Sequence, residues 1–230
     1  MPFTERTLEF LFENRVRDSK SWFEENRAEY ENVVLQPLRE LVTELTPQML
    51  ALDSQLICEP KVGRSISRIY RDTRFSKDKS TFRDVMWCTF KRRSQLYWGP
   101  PGFFFELSPR GLRWGCGYYQ CSPDTMAAAR ELMLAGDRSF QKARRALEKL
   151  PQYQMEDARY RRSRYPGQPE ALRRWLDLKN LCALAGSTDM DLLYSPSLSQ
   201  WLGEELAGLK PFYDFCLRAE SRREHPGNAD

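Results

Sequence analysis

The chain has 230 residues, 41% hydrophobic and 13% aromatic, which is enough to bury a sizeable core. Its formal net charge of only +4 argues against a broad nucleic-acid footprint. We expect neither a signal peptide nor a membrane-spanning helix, because the chain is charged at Glu5 and Arg6 and every apolar run is short.

The cysteine and histidine content limits the chemistry that we expect. Six cysteines lie far apart without a CxxC pair, which predicts a reduced, cytoplasmic protein. The single histidine, His225, lies in a polar tail, whereas catalytic triads need an imidazole and zinc sites use His or closely spaced Cys. We therefore expect no metal site and no cofactor, and acid/base work would fall to carboxylates, Lys, Tyr or a carboxylate-held Mg²⁺.

The first quarter of the chain has helical periodicity. Thr4 is a suitable N-cap for a helix that ends near Asp18, and three large apolar residues share one of its faces: Leu8, Leu11 and Phe12. Ser21 and Glu24 have the spacing of a capping box, which predicts the start of a second helix. Its helical spacing reaches Pro37 and resumes after it.

The period changes to that of strands after Ile57. Alternating β-branched and aromatic residues, separated by Gly/Pro turns, predict an antiparallel meander with strands at 65–70, 85–92, 103–107 and 112–118. In the last of these strands Cys116 lies on the apolar side, which indicates a core residue rather than a nucleophile. Gly115 and Gly117 leave the other side bare, as a bulge or the close approach of a backbone or ligand would require.

Helices return with Ser122 as a cap and Pro123 at the first helical position. This helix runs to Gly136, and further helices are predicted at 139–150, 169–184 and 197–217, the last interrupted at Pro211. The order predicts an α+β fold, an antiparallel β-meander of four to five strands flanked by N-terminal and C-terminal α-helices. We expect one domain over residues 1–220 and a polar tail over 221–230.

The segment RIYRDTRFSKDKSTFR, residues 68–83, concentrates positive charge. Residues 61–93 hold 11 Arg or Lys and 3 acidic residues, a local charge of +8 in a chain of net +4. The part DTRFSKDKS has no sustained period and is predicted to be a loop between sheet strands. Crowded cations need acids or a bound anion to offset them, and Asp72 and Asp78 supply only two counter-charges.

The stretch RIYRDTRFSKDKSTF resembles the signature RxxRDxRFxxDKxxY of the bacterial DUF2461 family, whose function is unassigned. The resemblance extends to KSWFEENRAEY, GFFFELSP, RWGCGYY, LKNLCAL and SPSLSQWLGEELAGLKPFYDF, and so covers most of the chain. The matching signature positions are Arg68, Arg71, Asp72, Arg74, Phe75, Asp78 and Lys79. The closing Tyr of the signature is Phe82 here, which favours a packing role for the ring or the loss of an activity that relatives retain.

Three interpretations of the motif stay open, and none decides whether the protein is an enzyme. In the first, the motif binds a phosphate- or carboxylate-bearing small molecule, because guanidinium groups suit such oxygens. Its candidate residues are Arg68, Arg71, Asp72, Arg74, Asp78 and Lys79. In the second, the motif is an internal salt-bridge network of a structural or interaction protein.

The third interpretation is nucleic-acid binding through two basic blocks. The second block, residues 138–174, holds 11 Arg or Lys against 4 acidic residues, with Tyr153, Tyr160 and Tyr165 interleaved. No known nucleic-acid motif supports this interpretation, and it is the least favoured of the three. The oligomeric state does not follow from the sequence.

Overall fold

The computed structural model describes residues 3–74, 76–94 and 99–224, and it has the predicted α+β fold. Its helices are α1 Glu5–Arg17, α2 Lys20–Glu25, α3 Arg27–Tyr30, a π-helical segment Glu31–Leu35, α4 Gln36–Leu52, α5 Pro123–Leu134, α6 Arg138–Glu148, α7 Glu170–Leu176, α8 Asp191–Tyr194, α9 Leu198–Gly208 and α10 Lys210–Glu224. Its strands are β1 Leu56–Ile57, β2 Met86–Arg92, β3 Gly102–Ser108, β4 Gly111–Gly117, β5 Gln154–Met155 and β6 Cys182–Ser187.

The strands form one six-stranded antiparallel sheet in the order β1-β2-β3-β4-β6-β5. The consecutive strands β2 to β4 match three strands of the predicted meander, and β1, which was not predicted, pairs with β2 at the edge of the sheet. The sheet then receives β6 beside β4, and β5 pairs with β6 with Gln154 opposite Leu184. The meander is thus extended by two strands that come from the C-terminal half of the chain.

The start of the chain follows the predicted helix closely. Thr4 is the N-cap of α1 and Asp18 is its C-cap. Leu8 and Leu11 are buried, but Phe12 is 57% exposed, so the prediction that it shares their face is wrong. The predicted capping box at Ser21 is also wrong, because α2 begins two residues earlier and its N-cap Ser19 accepts a hydrogen bond from the Trp22 N–H.

Pro37 is accommodated by a widened helical turn rather than by a break. A proline has no N–H and its ring crowds the carbonyl four residues earlier, here that of Val33. The π-helical segment lies directly before it, with the Gln36 N–H bonded to the Glu31 carbonyl. The Thr7 hydroxyl donates to the Val33 carbonyl at 2.7 Å, so the acceptor that Pro37 cannot serve is satisfied from α1.

Three predicted elements differ from the structure. Residues 65–70 form isolated bridges instead of a strand, with Ile66 opposite Cys88 and Tyr70 opposite Phe82. The helix predicted over 169–184 ends at Leu176, and its last residues belong to β6. A short apolar run such as CALAGS fits a buried strand as well as a helix, so periodicity alone did not separate the two. The interruption predicted at Pro211 in the C-terminal helix lies two residues earlier: α9 ends at Gly208, and α10 begins at Lys210 with Pro211 in its first turn.

Gly115 and Gly117 lie where another backbone approaches closely. A Cβ atom at Gly115 would lie 2.2 Å from the Ala183 carbonyl oxygen, and one at Gly117 would lie 2.3 Å from that of Leu181. Gly117 also has φ +144°, a conformation that other residues rarely adopt. Of the explanations for the bare side of this strand, the approach of a backbone is the observed one.

The chain forms two compact units. The first comprises the described residues of Met1–Phe90, Phe104–Trp114 and Gly186–Glu204, and the second those of Lys91–Phe103, Gly115–Ala185 and Glu205–Asp230. Fully buried side chains of the first unit include Phe10, Leu11, Val34, Leu38, Val42, Leu45, Phe82, Met86 and Phe105. Those of the second include Phe103, Cys116, Ala129, Phe140, Leu176, Phe212 and Phe215.

The single domain over residues 1–220 stays a prediction. Helix α10 continues to Glu224, so the first residues of the predicted tail are helical, whereas His225 and the residues after it lie outside the described chain.

All six cysteines are described and free. Among the described helices, none combines the length and the apolar character that crossing a membrane requires.

Candidate functional site

The basic loop lies entirely in the first unit and is closed at its base by backbone hydrogen bonds. The Arg71 N–H donates to the Thr81 carbonyl at 2.9 Å, and the Arg83 N–H donates to the Ile69 carbonyl at 2.9 Å. These bonds pair residues 69–71 with residues 81–83 in antiparallel fashion. We define the basic loop as the residues between these paired stretches, 72–80. As predicted, its described residues form neither helix nor strand, although the residues before it are bridged and not a sheet strand.

Two of the loop's cations bind groups of the loop itself. Arg74 donates to both carboxylate oxygens of Asp72, at 3.0 and 2.7 Å, although its side chain is 77% exposed. The Lys79 ammonium donates to the Thr73 carbonyl at 2.8 Å. Two hydrogen bonds lower the pKa of Asp72 to about 2: the larger effect comes from the Arg74 side chain and the smaller from the Arg74 backbone N–H. These contacts hold Arg74 against Asp72 and Lys79 against Thr73.

Arg71 differs from its neighbours because it is half-buried and meets a second arginine. Arg15 of α1 lies 2.9 Å from Asp78 Oδ2, and Arg71 Nη2 lies 3.4 Å from the same oxygen. The second Arg71 contact, to the Ser76 hydroxyl, is also long at 3.4 Å. Within the described residues, the buried Nε of Arg71 has no hydrogen-bond partner. Among the described residues, the donors of Arg71 are thus only partly satisfied.

Asp78 is held as a carboxylate. Its Oδ1 accepts hydrogen bonds from the Ser80 hydroxyl at 2.6 Å and from the Ser80 N–H at 3.0 Å. These bonds, and then the charges of Arg15 and Arg71, lower the pKa of Asp78 below its usual range. A carboxylate with a lowered pKa stays ionised at neutral pH, so Asp78 suits the orientation of cations rather than proton donation.

Asp18 connects α1 to the closing side of the loop. It is the C-cap of α1 with φ 45°, and its Oδ1 accepts the Thr81 N–H at 2.7 Å and the Phe82 N–H at 3.1 Å. Sequence reasoning missed both Asp18 and Arg15, which lie more than 60 residues before the loop residues that they contact. The one available signal was a helix-ending Asp in a position where Gly or Asn is usual.

Asn14 is a second residue that the sequence did not single out. It is fully buried, and neither atom of its side-chain amide has a hydrogen-bond partner among the described residues. Asn14 and Asp18 are four residues apart on α1 and so share one face of that helix. An uncompensated buried amide costs free energy, which makes the end of α1 a place where an additional polar partner would be stabilising.

Phe82 packs as the sequence interpretation favoured. Its side chain is fully buried, and its ring centroid lies 4.9 Å from that of Phe23 and 5.0 Å from that of Tyr70. Beside it, the Arg83 guanidinium lies over the Trp87 ring at 4.7 Å. The rings form an apolar base under the loop.

The predicted site residues are therefore brought together only in part. Arg71 and Asp78 meet at one point with Arg15, whereas Arg74 and Asp72 form an exposed pair, and Lys79 binds a backbone carbonyl. Arg68 is exposed and its guanidinium lies next to Gly63, where an added Cβ would be 3.5 Å from Nη2. Phe75, the remaining signature position, lies outside the described residues.

In the described chain, no group of three or more His, Cys, Asp or Glu is arranged to hold a metal ion. A cleft of about 130 Å³ elsewhere in the first unit is lined by Pro37, Leu41, Glu44, Ser195, Ser199 and neighbouring residues, and contains no predicted site residue. What the loop offers chemically is guanidinium groups near a fixed carboxylate, which is suited to binding oxyanions.

Fold and site together define an α+β protein with a basic loop that is closed by backbone pairing and joined to the first helix. The family model described as "Conserved hypothetical protein (DUF2461)" matches residues 6–215, nearly the whole chain. The chain therefore belongs to the DUF2461 family, as its motif suggested. No curated protein and no solved structure matches it.

Proposed function

We propose that the protein binds a small molecule carrying a phosphate or carboxylate group, and that Arg71 and Arg15 hold this group. The observation that carries the proposal is that both guanidinium groups reach the same oxygen of Asp78, at 3.4 and 2.9 Å. Two guanidinium groups that converge on one carboxylate oxygen can also converge on an oxygen of a ligand. The ligand group would bind beside Asp78.

The incomplete hydrogen bonding of Arg71 supports this position for the ligand. Its buried Nε lacks an acceptor among the described residues, and its two Nη2 contacts are both at 3.4 Å, at the weak end of the hydrogen-bond range. An oxyanion beside Asp78 would accept a shorter and stronger hydrogen bond from Nη2 than either of these contacts. Asp78 orients the two arginines in this scheme, and the exposed Arg68 adds to the positive potential.

The test compares two arginines of the motif that differ in environment. Thermal unfolding is measured with inorganic phosphate and with citrate at constant ionic strength, for the unaltered protein, Arg71→Gln and the control Arg74→Gln. A ligand at about 100 times its Kd raises Tm by about 5 °C or more in a protein of this size. We expect this shift in the unaltered protein and in Arg74→Gln, and its loss in Arg71→Gln.

Other outcomes contradict the proposal. If neither phosphate nor citrate raises Tm, the loop binds neither type of group. If Arg71→Gln keeps the shift, the anion binds elsewhere. Equal losses in both variants would indicate attraction by general charge, because each variant removes one positive charge from the same short segment.

A purely structural role is the second candidate, and the Asp18 contacts favour it. One carboxylate oxygen of α1 accepts two backbone N–H groups at the closing side of the loop, which fastens the loop without a ligand. In this case Arg71→Gln lowers the free energy of unfolding by about 2 kcal/mol, a value reduced because the side chain is 26% exposed. No anion shifts Tm in that case.

We also propose a cytoplasmic location, supported by the six free thiols.

A further inference from the structure

Helix α6 of the second unit presents a row of cations on its exposed side. Its exposed Arg and Lys residues follow one another at intervals of four, three and four positions: Arg138, Lys142, Arg145 and Lys149, which directly follows the helix as its C-cap. At about 100° per residue, these four positions fall within an arc of about 60°. We call this row the α6 stripe.

The opposite side of the helix is used by the core. Phe140 and Ala143 are fully buried, and the Phe140 ring lies edge-on to that of Trp175 at 5.3 Å. The helix is therefore fixed in rotation, and the α6 stripe points away from the packed side. The exposure of its four side chains thus follows from the packing of the opposite side of α6.

The protein itself does not neutralise the α6 stripe. None of its four members forms an ion pair or side-chain hydrogen bond with any residue in the described chain, whereas most other arginines of the protein do. Glu148, the nearest acid on the helix, pairs with Arg144 on its flank. Like charges at i, i+3 and i, i+4 destabilise a helix. The four cations therefore lower the stability of α6, and no ion pair of their own among the described residues compensates for this repulsion.

The second unit as a whole has the same sign. Its segments contain 20 Arg or Lys against 13 Asp or Glu, a formal charge of +7, whereas those of the first unit sum to −3. The modest net charge of the chain conceals this difference. By net charge, an extended polyanion would be attracted more strongly to the second unit than to the first.

The spacing of the α6 stripe matches a phosphate backbone. From Arg138 to Lys149 the helix rises by about 16 Å, and one strand of a nucleic-acid duplex carries a phosphate about every 3.4 Å of its axis. Four cations thus face about five phosphates. An anionic membrane fits less well, because helices that lie on membranes insert an apolar face, and the apolar face of α6 is packed in the core.

We infer that the α6 stripe binds nucleic acid through its phosphate backbone, without sequence preference, at a site separate from the basic loop. Each cation that contacts a phosphate releases counterions, so log K falls with log[salt] with a slope of about 3.6 for four contacts on duplex DNA. Affinity should therefore drop about 100-fold when NaCl is raised from about 50 to about 200 mM.

Fluorescence anisotropy with a labelled duplex of about 20 base pairs, as DNA and as RNA, tests the inference. The variant R138Q/K142Q/R145Q/K149Q removes the α6 stripe, and Gln preserves helix propensity. The control K20Q/K61Q/R64Q/K91Q removes the same charge at four exposed positions outside α6. We expect the stripe variant to lose at least about 100-fold in affinity and most of its salt slope, and the control to stay within about threefold.

Three results would overturn the inference. Absence of binding to both duplexes at about 50 mM NaCl would do so, as would equal losses in the stripe variant and the control. Binding to phosphatidylserine vesicles but to neither duplex would show that the partner is a membrane. Circular dichroism of both variants establishes that they are folded, and if the stripe variant unfolds, the pairs R138Q/K142Q and R145Q/K149Q are compared instead, each expected to lose about half of the slope.

Discussion

Three aspartates give the basic loop its shape at the level of single residues, and each meets a different kind of donor. Asp72 binds the exposed guanidinium of Arg74, Asp78 binds Ser80 and two arginines, and Asp18 binds two backbone N–H groups. The pairs that are exposed contribute little to stability, whereas the backbone contacts of Asp18 fix the chain itself. Charge compensation in the loop therefore combines a local pair, Asp72 with Arg74, and a pair with the distant Arg15 at Asp78.

The titration of Asp72 follows from its contact with Arg74. The pKa is lowered from 3.8 to about 2, so the pair favours the folded loop at pH values above 3.8, and this contribution is lost as the pH falls towards 2. Carbon-detected NMR titration should give a pKa of about 2 for Asp72, and Arg74→Gln should return it towards 3.8. Arg110→Gln, which removes a partner of Asp84 instead, should leave Asp72 unchanged.

A value near 3.8 in the unaltered protein would show that Arg74 and Asp72 do not remain paired in solution. A return towards 3.8 in Arg110→Gln as well would attribute the low pKa to the general potential of the segment. Either result would show that the contact with Arg74 is not what lowers the pKa of Asp72.

The sequence identified the loop residues but not their partners on α1. Arg71, Asp72 and Asp78 stood out because like charge was crowded in a short segment. Arg15 and Asp18 contact this segment from a distant part of the chain, and no local pattern encodes such a contact. The sorting of Arg71 to a half-buried position and Arg74 to an exposed one likewise depends on tertiary packing.

At the scale of secondary structure, Thr7 and the π-helical segment solve one problem together. The Thr7 hydroxyl accepts the Thr4 N–H at 3.1 Å and donates to the Val33 carbonyl at 2.7 Å. The same side chain thus completes the start of α1 and satisfies the carbonyl left without a donor by Pro37. The sequence predicted a helix interrupted at Pro37. The observed helix continues through Pro37, and this requires a hydrogen-bond donor from another helix for the Val33 carbonyl.

Replacement of Thr7 by Val should expose this dual role. The side chains are similar in shape, but Val leaves the Thr4 N–H and the Val33 carbonyl without their partner, at a cost of about 2 kcal/mol. Urea denaturation measures the loss as a lower midpoint with an unchanged m-value. Thr43→Val is the control, since that hydroxyl also donates to a helix carbonyl, that of Arg39, but is exposed.

We expect the control to change stability by no more than about 0.5 kcal/mol. Similar losses in the two variants would mean that helix propensity, and not the contact between helices, determines the effect. An unchanged midpoint in Thr7→Val would mean that water serves the Val33 carbonyl equally well.

Sequence patterns gave the long helices and the three long strands of the meander, because their periods persist over several turns or alternations. They failed where elements are short. Residues 182–184, the end of a predicted helix, belong to β6, and residues 65–70 make only isolated bridges. In both cases pairing with a distant strand decided the conformation, which local propensity does not determine.

For the molecule as a whole, the six thiols lie in environments that differ sharply. Cys58 is half-buried, whereas the other five are at most 8% exposed. Burial raises the pKa of Cys88 and that of Cys121 to about 12, and raises that of Cys116 and Cys216 well above the usual value. A buried thiol with a raised pKa is protonated and unreactive at neutral pH.

Burial raises the pKa of Cys58 as well, but Cys58 is the one thiol that is partly exposed, so thiol labelling should single it out. With Ellman's reagent at about pH 8, we expect one rapidly reacting thiol in the native protein and six after unfolding in guanidinium chloride. Cys58→Ser should abolish the rapid reaction, and Cys182→Ser, at a buried position, should not. Rapid labelling of a second thiol would show that part of the core opens readily.

The order of the strands has a consequence for how the chain closes its sheet. Strands β3 and β4 are separated by two residues, but 64 residues lie between β4 and β6. The entropy of closing the longer loop exceeds that of the shorter by about 3 kcal/mol, so β6 joins at a conformational disadvantage. The close approach of the two backbones at Gly115 and Gly117 lies at this junction, and a side chain there would weaken the contact that is hardest for the chain to form.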